Sequence, residues 1–469
     1  MTDRARQTAQ STPRLFGSSG IRGVVGEDLS EELCLDVARA IGSTLPPHSK
    51  VCIATDTRVS REVINDAVTT GLRNTGIDVT HLGILPTPAL AFLTGRMGFD
   101  TGVMITASHN PYQFNGIKLF NAACINDADS IGYSRAQEME IERIYGKREF
   151  RNSSRGSLER NLEAREDYLR FVANRFPEGS FSQGFSIVVD AANGAAAGFA
   201  SDLFVRVGLD VIPLNDEPDG LFPGRNPEPK EDTLEGTFEF MRQHNAGLAV
   251  CFDGDADRVV FLDETGFLGF NEVIAFAARL AVVRSGKKKV AATVETGNMV
   301  DLVLNDLGAE VVRGKVGDVY VAHLVRELDA AIGVEPVGVY IMPEIGLYPD
   351  SMFAALTLLS KIDSAGEIRS YLRQIPRLYS LQDKVSCPNI AKTTVMNEIE
   401  GSAAGLGPRH VNALDGLRLE FDDSWMLIRA SGTEPLIRVN AESGSEAETE
   451  TLLNSGIEIV RSTIARLVA

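Results

Sequence analysis

The sequence predicts an α/β protein of four domains, in which three similar α/β domains with mixed sheets precede a smaller C-terminal α+β domain. Three observations predict this class. The chain has 469 residues, more than a single hydrophobic core usually supports. Three segments repeat one pattern of apolar strand, short polar turn, helical stretch and second strand. Past about residue 364 the pattern changes to shorter, alternating strands.

The repeated segments begin near residues 50, 185 and 288. In each copy the helical stretch ends in glycine, one further residue, an acid and valine; these endings are Gly76–Val79, Gly208–Val211 and Gly308–Val311. Glycine supplies the left-handed residue that ends a helix, after which the chain re-enters the sheet. Such units need right-handed crossovers and bury both faces of a mostly parallel or mixed sheet.

The C-terminal region contains alternating strands and a final amphipathic helix from about Glu446 to Val468. This combination is typical of a small α+β domain. The charged segment 148–167 and the segment 373–389 are the expected connectors. We therefore expect domains at 1–152, 153–264, 265–372 and 373–469, arranged around a central cleft.

Composition restricts the classes of partner. A formal net charge of -18 disfavours non-specific attraction to nucleic acid or to an anionic membrane. The five cysteines are scattered and never in C-x-x-C spacing, which indicates reduced thiols and a cytoplasmic location. The N-terminus has no apolar targeting segment, and no apolar run reaches membrane-spanning length. A small-molecule partner is expected, and the sequence leaves open whether the protein is a monomer or a homodimer.

The first chemical motif lies in residues 102–120, GVMITASHNPYQFNGIKLF. An apolar run ends in a tight polar segment that contains Ser108, His109 and Pro111, and Lys118 follows a few residues later. A serine beside a histidine after a buried strand is either part of a turn or a nucleophile.

The second motif, in LAVCFDGDADRVVFLDE, places Asp253, Asp255 and Asp257 at alternate positions between two apolar strands. In an extended or looping backbone this spacing puts the carboxylates on one side, as Mg²⁺ requires. Three like charges without a cation would repel one another. An EF-hand is excluded because Arg258 stands where that loop needs glycine. An acidic hairpin without a metal is the remaining alternative.

The third motif, LIRASGTEPLIRV, joins two strands through a polar turn. Its hydroxyls, glycine N–H and two guanidiniums could hold a phosphate without a metal, although a solvated hairpin turn has the same composition. The residues concerned are Arg429, Ser431, Gly432, Thr433 and Arg438. Single residues on other loops are weaker candidates: Arg22, Lys315, Asp318 and Glu335. A serine, a divalent-cation loop and remote anion sites together indicate phosphoryl transfer.

These motifs resemble the α-D-phosphohexomutase family in order and spacing, over about Leu15 to the C-terminus. TASHNP is similar to its phosphoserine loop, DGDADR to its metal loop, GVEPVG to its sugar loop and RASGTEP to its phosphate loop. The resemblance implies an isomerase that moves a phosphoryl group between the 1 and 6 positions of a hexose phosphate. It further implies a phosphoserine, and a hexose 1,6-bisphosphate that acts as intermediate and activator.

Carried over by position, the resemblance implies that Ser108 is the phosphoserine. One Mg²⁺ per chain would be held by Ser108, Asp253, Asp255 and Asp257. The groups around the transferring phosphoryl would be Arg22, His109, Lys118 and Arg258, without deciding which is general acid and which is general base. The substrate would be bound by Lys315, Asp318, Glu335, Val337, Gly338, Arg429, Ser431, Gly432, Thr433 and Arg438.

One departure affects the expected substrate. Many members of the family have serine or asparagine at the position of Val337, and Arg-Asp-Gly where this chain has Pro349-Asp350-Ser351. The Glu-Pro-x-Gly and Pro-Asp pattern is more similar to the archaeal phosphoglucosamine-mutase branch. Conversion of glucosamine 6-phosphate to glucosamine 1-phosphate is therefore favoured, with phosphoglucomutase or phosphomannomutase activity as the alternative. Two different classes of function also stay open: a magnesium-dependent phosphatase with Asp253 as nucleophile, and a non-enzymatic sugar-phosphate sensor.

Overall fold

The computed structural model of the chain describes residues 14–17, 19–122, 130–182, 184–432 and 434–468. These residues form 21 strands and 14 α-helices. The strands are β1 (Ile21–Val24), β2 (Lys50–Thr55), β3 (Asp78–Ile84), β4 (Thr101–Ile105), β5 (Phe114–Ala122), β6 (Ser130–Gly132), β7 (Leu158–Arg160), β8 (Ile187–Asp190), β9 (Val211–Leu214), β10 (Leu248–Phe252), β11 (Val259–Asp263), β12 (Gly266–Phe267), β13 (Lys289–Thr293), β14 (Glu310–Gly314), β15 (Ile332–Glu335), β16 (Val339–Ile341), β17 (Tyr379–Ser386), β18 (His410–Asn412), β19 (Leu417–Glu420), β20 (Trp425–Ala430) and β21 (Leu436–Ser443). The helices are α1 (Glu31–Thr44), α2 (Arg61–Asn74), α3 (Thr87–Arg96), α4 (Arg135–Lys147), α5 (Arg165–Ala173), α6 (Ala200–Arg206), α7 (Glu235–Gln243), α8 (Phe270–Ser285), α9 (Met299–Leu304), α10 (Asp318–Leu328), α11 (Ser351–Leu359), α12 (Glu367–Leu372), α13 (Lys392–Ala403) and α14 (Glu446–Val468).

The strands form four sheets. The first has the order β1-β5-β4-β2-β3-β7, with β6 also paired to β5. The second has the order β12-β11-β10-β8-β9, the third β14-β13-β15-β16 and the fourth β17-β21-β20-β19-β18. The first three sheets are mixed and the fourth is antiparallel. The predicted fold class is confirmed.

The first three sheets share one arrangement around a central strand. Strand β2 lies between its parallel neighbours β4 and β3, β8 lies between β10 and β9, and β13 lies between β15 and β14. An antiparallel strand, β5, β11 or β16, then pairs with β4, β10 or β15. The loops that enter these antiparallel strands occupy equivalent positions, and they carry the predicted serine, metal and sugar motifs.

The three glycines that end the predicted repeats have the predicted left-handed backbone conformation. Gly76, Gly208 and Gly308 have φ of 79°, 92° and 59°, the left-handed region that glycine adopts without steric cost. Each lies between a helical segment and the strand that enters the sheet beside the central one, namely β3, β9 or β14. The glycine therefore ends the helical segment and lets the chain return to the sheet, as the sequence predicts.

The fourth domain is built around the antiparallel sheet and two helices. Helix α14 spans Glu446–Val468, which confirms the predicted final helix. Its residues Ile457 and Val460 are buried against the sheet together with Val395 and Ile399 of α13. Burial of one apolar face on each helix holds the two-layer domain together.

A continuous apolar core joins the first three domains. Phe92 of α3 packs edge to face against Tyr168 of α5, and Phe176 packs against Phe353 of α11. The predicted connector 148–167 contributes β7, which pairs with β3 of the first sheet.

The described cysteines, Cys34, Cys52, Cys251 and Cys387, are free and buried. No helix in the described part of the chain combines the length and apolarity needed to cross a membrane.

Candidate active site

The serine loop, residues 106–113, follows β4. Ser108 is buried and has a φ of 51°, an unusual conformation for a residue with a Cβ. Its Oγ donates a hydrogen bond to Asp253 Oδ2 at 2.7 Å and lies 3.3 Å from His109 Nδ1. The turn therefore directs the hydroxyl at the metal loop of the second domain, which is the position a nucleophile would need.

The metal loop, residues 253–258, connects β10 to β11 as a hairpin. Asp253, Asp255 and Asp257 are all buried, and one carboxylate oxygen of each lies within 4.8 Å of the others. Ala256 has a φ of 56°, which gives the loop the bend that its alternating acids need. The three carboxylates thus converge, as the spacing predicts.

The chemistry of this cluster fits a divalent cation. The Oδ1 atoms of Asp255 and Asp257 are buried and have no hydrogen-bond partner among the described residues. Burial, and then the charges of the neighbouring aspartates, raise the pKa of Asp253 and of Asp257. Oxygen donors in a buried, mutually repelling set are what Mg²⁺ binds and neutralises. The triad can therefore hold a metal ion.

Lys118 connects the first domain to the metal loop. It lies on β5, and its Nζ donates to Asp255 Oδ2 at 2.7 Å and to Asp257 Oδ2 at 2.5 Å. Burial alone would lower the pKa of Lys118, but the two carboxylates outweigh it and raise that pKa. Lys118 is therefore a permanent cation beside the triad. Thr87, at the start of α3, also donates to Asp255 Oδ2, at 2.6 Å.

Two guanidiniums also lie near the aspartate triad, which forms the centre of the candidate site. Arg22 lies on β1 opposite Gly116 of β5, and Arg258 ends the metal loop. The Nε atoms of both are buried without a hydrogen-bond partner in the described part of the chain. Arg258 first, and then burial, lower the pKa of His109 well below its usual range, so this imidazole is neutral. Cationic side chains in a buried site that keep donors without a hydrogen bond are suited to a phosphoryl group.

The sugar loop, residues 333–338, is fixed against the metal loop. Val259 N donates to Gly338 O at 2.9 Å, and a side chain at Gly338 would collide with Val259 O. Glu335 is buried and accepts a hydrogen bond from Gly317 N at 2.6 Å. Burial, and then Asp318, raise the pKa of Glu335 to about 8. The predicted carboxylate therefore does lie near the centre.

The other predicted site residues of the third domain differ in their distance from the aspartate triad and in their exposure. Asp318 accepts a hydrogen bond from Ser19 Oγ at 2.6 Å and adds to the negative charge near Lys118. Lys315 is exposed, with its Nζ 5.7 Å from the centre of the Tyr320 ring. Val337 is half-buried beside the core of the third domain. The structure brings Asp318 to the centre but leaves Lys315 at the surface.

The phosphate loop, residues 429–435, lies in the fourth domain. Arg429 on β20 is the register partner of Arg438 on β21, so both side chains leave the same face of the sheet. Arg429 Nη2 donates to Glu295 Oε1 at 2.5 Å, and Arg438 Nη2 donates to Glu434 Oε2 at 2.5 Å. Ser431 Oγ accepts from Glu434 N at 3.1 Å. Gly432 is exposed, and the predicted Thr433 lies outside the described residues.

Sequence reasoning missed four residues that shape the site: Arg58, Thr87, Glu295 and Ser351. Ser351 Oγ donates to Ala256 O at 2.5 Å and so braces the metal loop. Glu295 binds Arg429 and also acts electrostatically on Glu335. Arg58 and Glu295 lie in the polar turns that follow β2 and β13, the first strands of two repeats. The repeat is therefore the sequence signal that could have identified Arg58 and Glu295.

Comparison with known proteins identifies the family. Regions 13–152, 166–266, 270–379 and 384–455 match, in order, the alpha/beta/alpha domains I, II and III and the C-terminal domain of phosphoglucomutase/phosphomannomutase. The chain belongs to this family of α-D-phosphohexomutases. It is thus an enzyme of the isomerase and phosphotransferase type, which confirms the resemblance drawn from the four motifs.

Individual relatives match over nearly the whole chain. A probable phosphoglucosamine mutase of Methanopyrus kandleri is 39% identical over 452 residues, which cover 96% of this chain and 98% of the relative. One from Methanothermobacter thermautotrophicus is 37% identical over 447 residues, which cover 93% and 95%. A phosphoglucomutase/phosphomannomutase family protein of Burkholderia thailandensis has a similar structure, with a TM-score of 0.85 at 23% identity, covering 96% of this chain and 97% of that protein. The two sequence relatives place the chain in the archaeal phosphoglucosamine-mutase branch.

Proposed function

We propose that this phosphohexomutase interconverts glucosamine 6-phosphate and glucosamine 1-phosphate, with Ser108 as the phosphate carrier. The observation that carries the proposal is the 2.7 Å hydrogen bond from Ser108 Oγ to Asp253 Oδ2 within a buried cluster of acids and cations. The amino sugar is proposed because the relatives in Methanopyrus and Methanothermobacter are named probable phosphoglucosamine mutases. A glucose or mannose phosphate is the alternative substrate.

In the first half-reaction the phosphoryl group leaves phosphorylated Ser108 for a sugar hydroxyl. The bond from phosphorus to Ser108 Oγ breaks as a bond to the sugar oxygen forms, and the proton of the sugar hydroxyl ends on Ser108 Oγ, which becomes a hydroxyl again. Arg22 and Arg258, whose Nε atoms have no hydrogen-bond partner among the described residues, would donate to the phosphoryl oxygens. Lys118 would add positive charge, while neutral His109 lies within reach of Ser108 Oγ. Stabilising charge on the transferred group is the main catalytic task in phosphoryl transfer.

The residues that would hold the metal are Asp253, Asp255 and Asp257, together with Ser108. A bound Mg²⁺ would neutralise charge on the phosphoryl oxygens and on the serine oxygen. Asp253 Oδ2 already receives the serine hydroxyl, and Asp253 Oδ1 receives Arg258 N at 3.2 Å. These contacts make Asp253 an acceptor for the Ser108 hydroxyl and aim that hydroxyl at the carboxylates that would hold the metal. They therefore support Ser108 over Asp253 as the nucleophile, and a mutase over an aspartyl phosphatase.

The remaining contacts would bind the substrate. Glu335 would accept hydrogen bonds from sugar hydroxyls, beside Asp318, Val337 and Gly338, and the exposed Lys315 would reach the phosphate. The non-reacting phosphate would be gripped in the fourth domain by Arg429, Ser431, Gly432, Thr433 and Arg438. A fixed grip and one carrier serine can serve both ends of the sugar only if a hexose 1,6-bisphosphate turns over between the half-reactions. We therefore include this bisphosphate as intermediate and activator.

Further parts of the proposal concern the whole chain. The four domains would divide near residues 152, 264 and 372, close to the ends of the matched family regions at 152, 266 and 379. The buried free thiols among the described cysteines support a reducing, cytoplasmic location. A monomer and a homodimer are both compatible with four domains that build the site within one chain.

Intact-mass spectrometry of the purified protein, before and after incubation with hexose 1,6-bisphosphate, tests the proposal. We expect one added phosphoryl group that is stable to acid and absent from Ser108→Ala, together with loss of nearly all mutase turnover. An acid-labile phosphate that survives Ser108→Ala would instead establish an aspartyl phosphatase. Isomerisation assays with glucosamine, glucose, mannose and N-acetylglucosamine phosphates then rank the substrates.

A further inference from the structure

Arg58 is a buried cation whose hydrogen bonds end on the serine loop. Its side chain is 0% exposed, and its Nε donates to Asp56 Oδ2 at 2.9 Å. Nη1 donates to Pro111 O at 2.6 Å and Phe114 O at 2.9 Å, and Nη2 donates to Ser108 O at 2.9 Å and Asn110 O at 2.6 Å. A guanidinium has five N–H donors. All of the donors of Arg58 are thus used, and four of them bind backbone carbonyls of the serine loop and its exit.

The same ion pair holds Ser108 from its other side. Asp56 Oδ2 accepts a hydrogen bond from Thr106 Oγ1 at 2.7 Å, and Thr106 Oγ1 accepts one from Ser108 N at 2.8 Å. The carbonyl of Ser108 is therefore tied to Arg58, and its amide is tied to Asp56 through Thr106. A left-handed conformation at a residue with a Cβ persists only where surrounding contacts enforce it. Here the Asp56–Arg58 pair supplies those contacts.

Arg58 also links the serine loop to the domain that carries the metal loop. Its guanidinium lies 5.1 Å from the centre of the Phe222 ring, and its backbone forms a bridge with Gly220. Next to it, Thr57 Oγ1 donates to Asn193 O at 3.0 Å. The segment that begins at Asn193 is in turn bonded to the metal loop, because Ala195 N donates to Gly254 O at 2.9 Å.

We propose that Arg58 is a positioning residue for phosphoryl transfer, which fixes Ser108 Oγ against the carboxylates of the metal loop. Its donors are used within the protein, so it acts on the reaction through the serine loop and does not touch the sugar phosphate. This inference rests on the proposed function of Ser108. A purely structural role would lower stability without changing the catalytic constant of the folded enzyme. A positioning role lowers kcat in the folded enzyme and leaves KM nearly unchanged.

The experiment compares Arg58→Lys and Arg58→Ala with the matched control Arg61→Ala. Arg61 lies three residues away and donates to Thr57 O and Arg58 O, and none of its hydrogen bonds to the described residues ends on the serine loop. Lysine keeps the charge but cannot span four carbonyls. Because a displacement of about 1 Å at the reacting atoms costs about 100-fold in rate, we expect kcat to fall about 10- to 100-fold in Arg58→Lys. KM should stay within about threefold, and Arg61→Ala should keep wild-type kcat.

Two further measurements separate positioning from stability. Millimolar guanidinium should partly restore kcat in Arg58→Ala, and hydrogen exchange should increase in peptides spanning residues 106–114 but not in α14. If Arg58→Ala fails to fold, Thr106→Val tests the same linkage through the amide of Ser108, and Thr106→Ser should retain activity. A folded Arg58→Lys enzyme with wild-type kcat, or one whose KM rises while kcat is unchanged, overturns the proposal. If the wild-type enzyme shows no mutase turnover, the proposed function fails, while hydrogen exchange still decides whether Arg58 holds the serine loop.

Discussion

Gly254 separates two of the acids that are proposed to bind the metal, and it faces the serine loop. A Cβ at this position would lie 2.5 Å from Ser108 O and 3.3 Å from Pro227 Cβ, whereas ordinary contact begins at 3.4 Å. Its φ is outside the left-handed region, so alanine meets no backbone strain there. Gly254→Ala should therefore act by contact alone and force the metal loop and the serine loop apart by up to about 0.9 Å, the difference between those contact distances.

The expected effect of Gly254→Ala is on turnover. A displacement near 1 Å at the reacting atoms lowers kcat about 10- to 100-fold, and overpacking costs about 1–3 kcal/mol of unfolding free energy. Coupled assays of glucosamine-phosphate isomerisation over a range of Mg²⁺ concentrations give kcat and the Mg²⁺ requirement, and thermal unfolding gives stability.

Gly236→Ala is the matched control for this substitution. Gly236 is an exposed position on helix α7, and a Cβ there would have no heavy atom within 4 Å outside the helix's own backbone. It should keep wild-type kcat and gain up to about 1 kcal/mol of stability from helix propensity. If Gly254→Ala turns over within about twofold of wild type, the serine and metal loops do not need the spacing seen here, and the reasoning fails.

Three other substitutions test the electrostatics of the chain. Asp255→Asn should raise the Mg²⁺ concentration needed for activity, because it removes one charge from the triad; unchanged activity at limiting Mg²⁺ would contradict the metal assignment. Glu295→Gln should lower KM for every sugar phosphate about two- to fivefold, because Arg429 no longer has to leave a carboxylate; a change confined to one sugar would contradict this. Burial raises the pKa of Asp350 to about 6, so its neutral form stabilises the fold below pH about 4, and this contribution is lost as pH rises through about 6. Asp350→Asn should therefore gain up to about 3 kcal/mol relative to wild type between pH 4 and pH 7 in urea unfolding, whereas a constant difference would contradict the raised pKa.

The sequence could predict the fold class and the chemical loops because both depend on local order. An apolar strand followed by a polar turn is visible in a short window, as in the segments that contain Ser108 and Asp253. The three glycine endings are also local, since each needs only a helix before it and a strand after it. The final helix is predictable to its observed bounds for the same reason.

The residues that were missed act over long sequence distances. Glu295 meets Arg429 from a separation of 134 residues, and Ser351 meets Ala256 from a separation of 95. Lys118 was identified, but its contact with both Asp255 and Asp257 depends on how two sheets pack. Pairings of this kind follow from the packing of the domains, which neither periodicity nor turn chemistry specifies.

The three repeats share a further feature at the end of the first strand or just after it, where a carboxylate pairs with an arginine. In the first domain the pair is Asp56–Arg58 and in the second it is Asp190–Arg225, with side chains at most 5% exposed. These arginines brace the serine loop and, through a 2.7 Å bond from Arg225 Nη2 to Phe252 O, the start of the metal loop.

In the third domain the corresponding carboxylate is Glu295, and its arginine, Arg429, comes from the fourth domain. Both of these side chains are 19% exposed. A buried ion pair that loses one partner leaves an uncompensated charge, so the first two pairs are suited to hold loops permanently. Water can reach the third pair and compensate either charge, so Arg429 can exchange Glu295 for a phosphate at low cost. The carboxylate at the end of the first strand of each repeat thus supports a loop in two domains and, in the third, meets the proposed phosphate grip of the fourth.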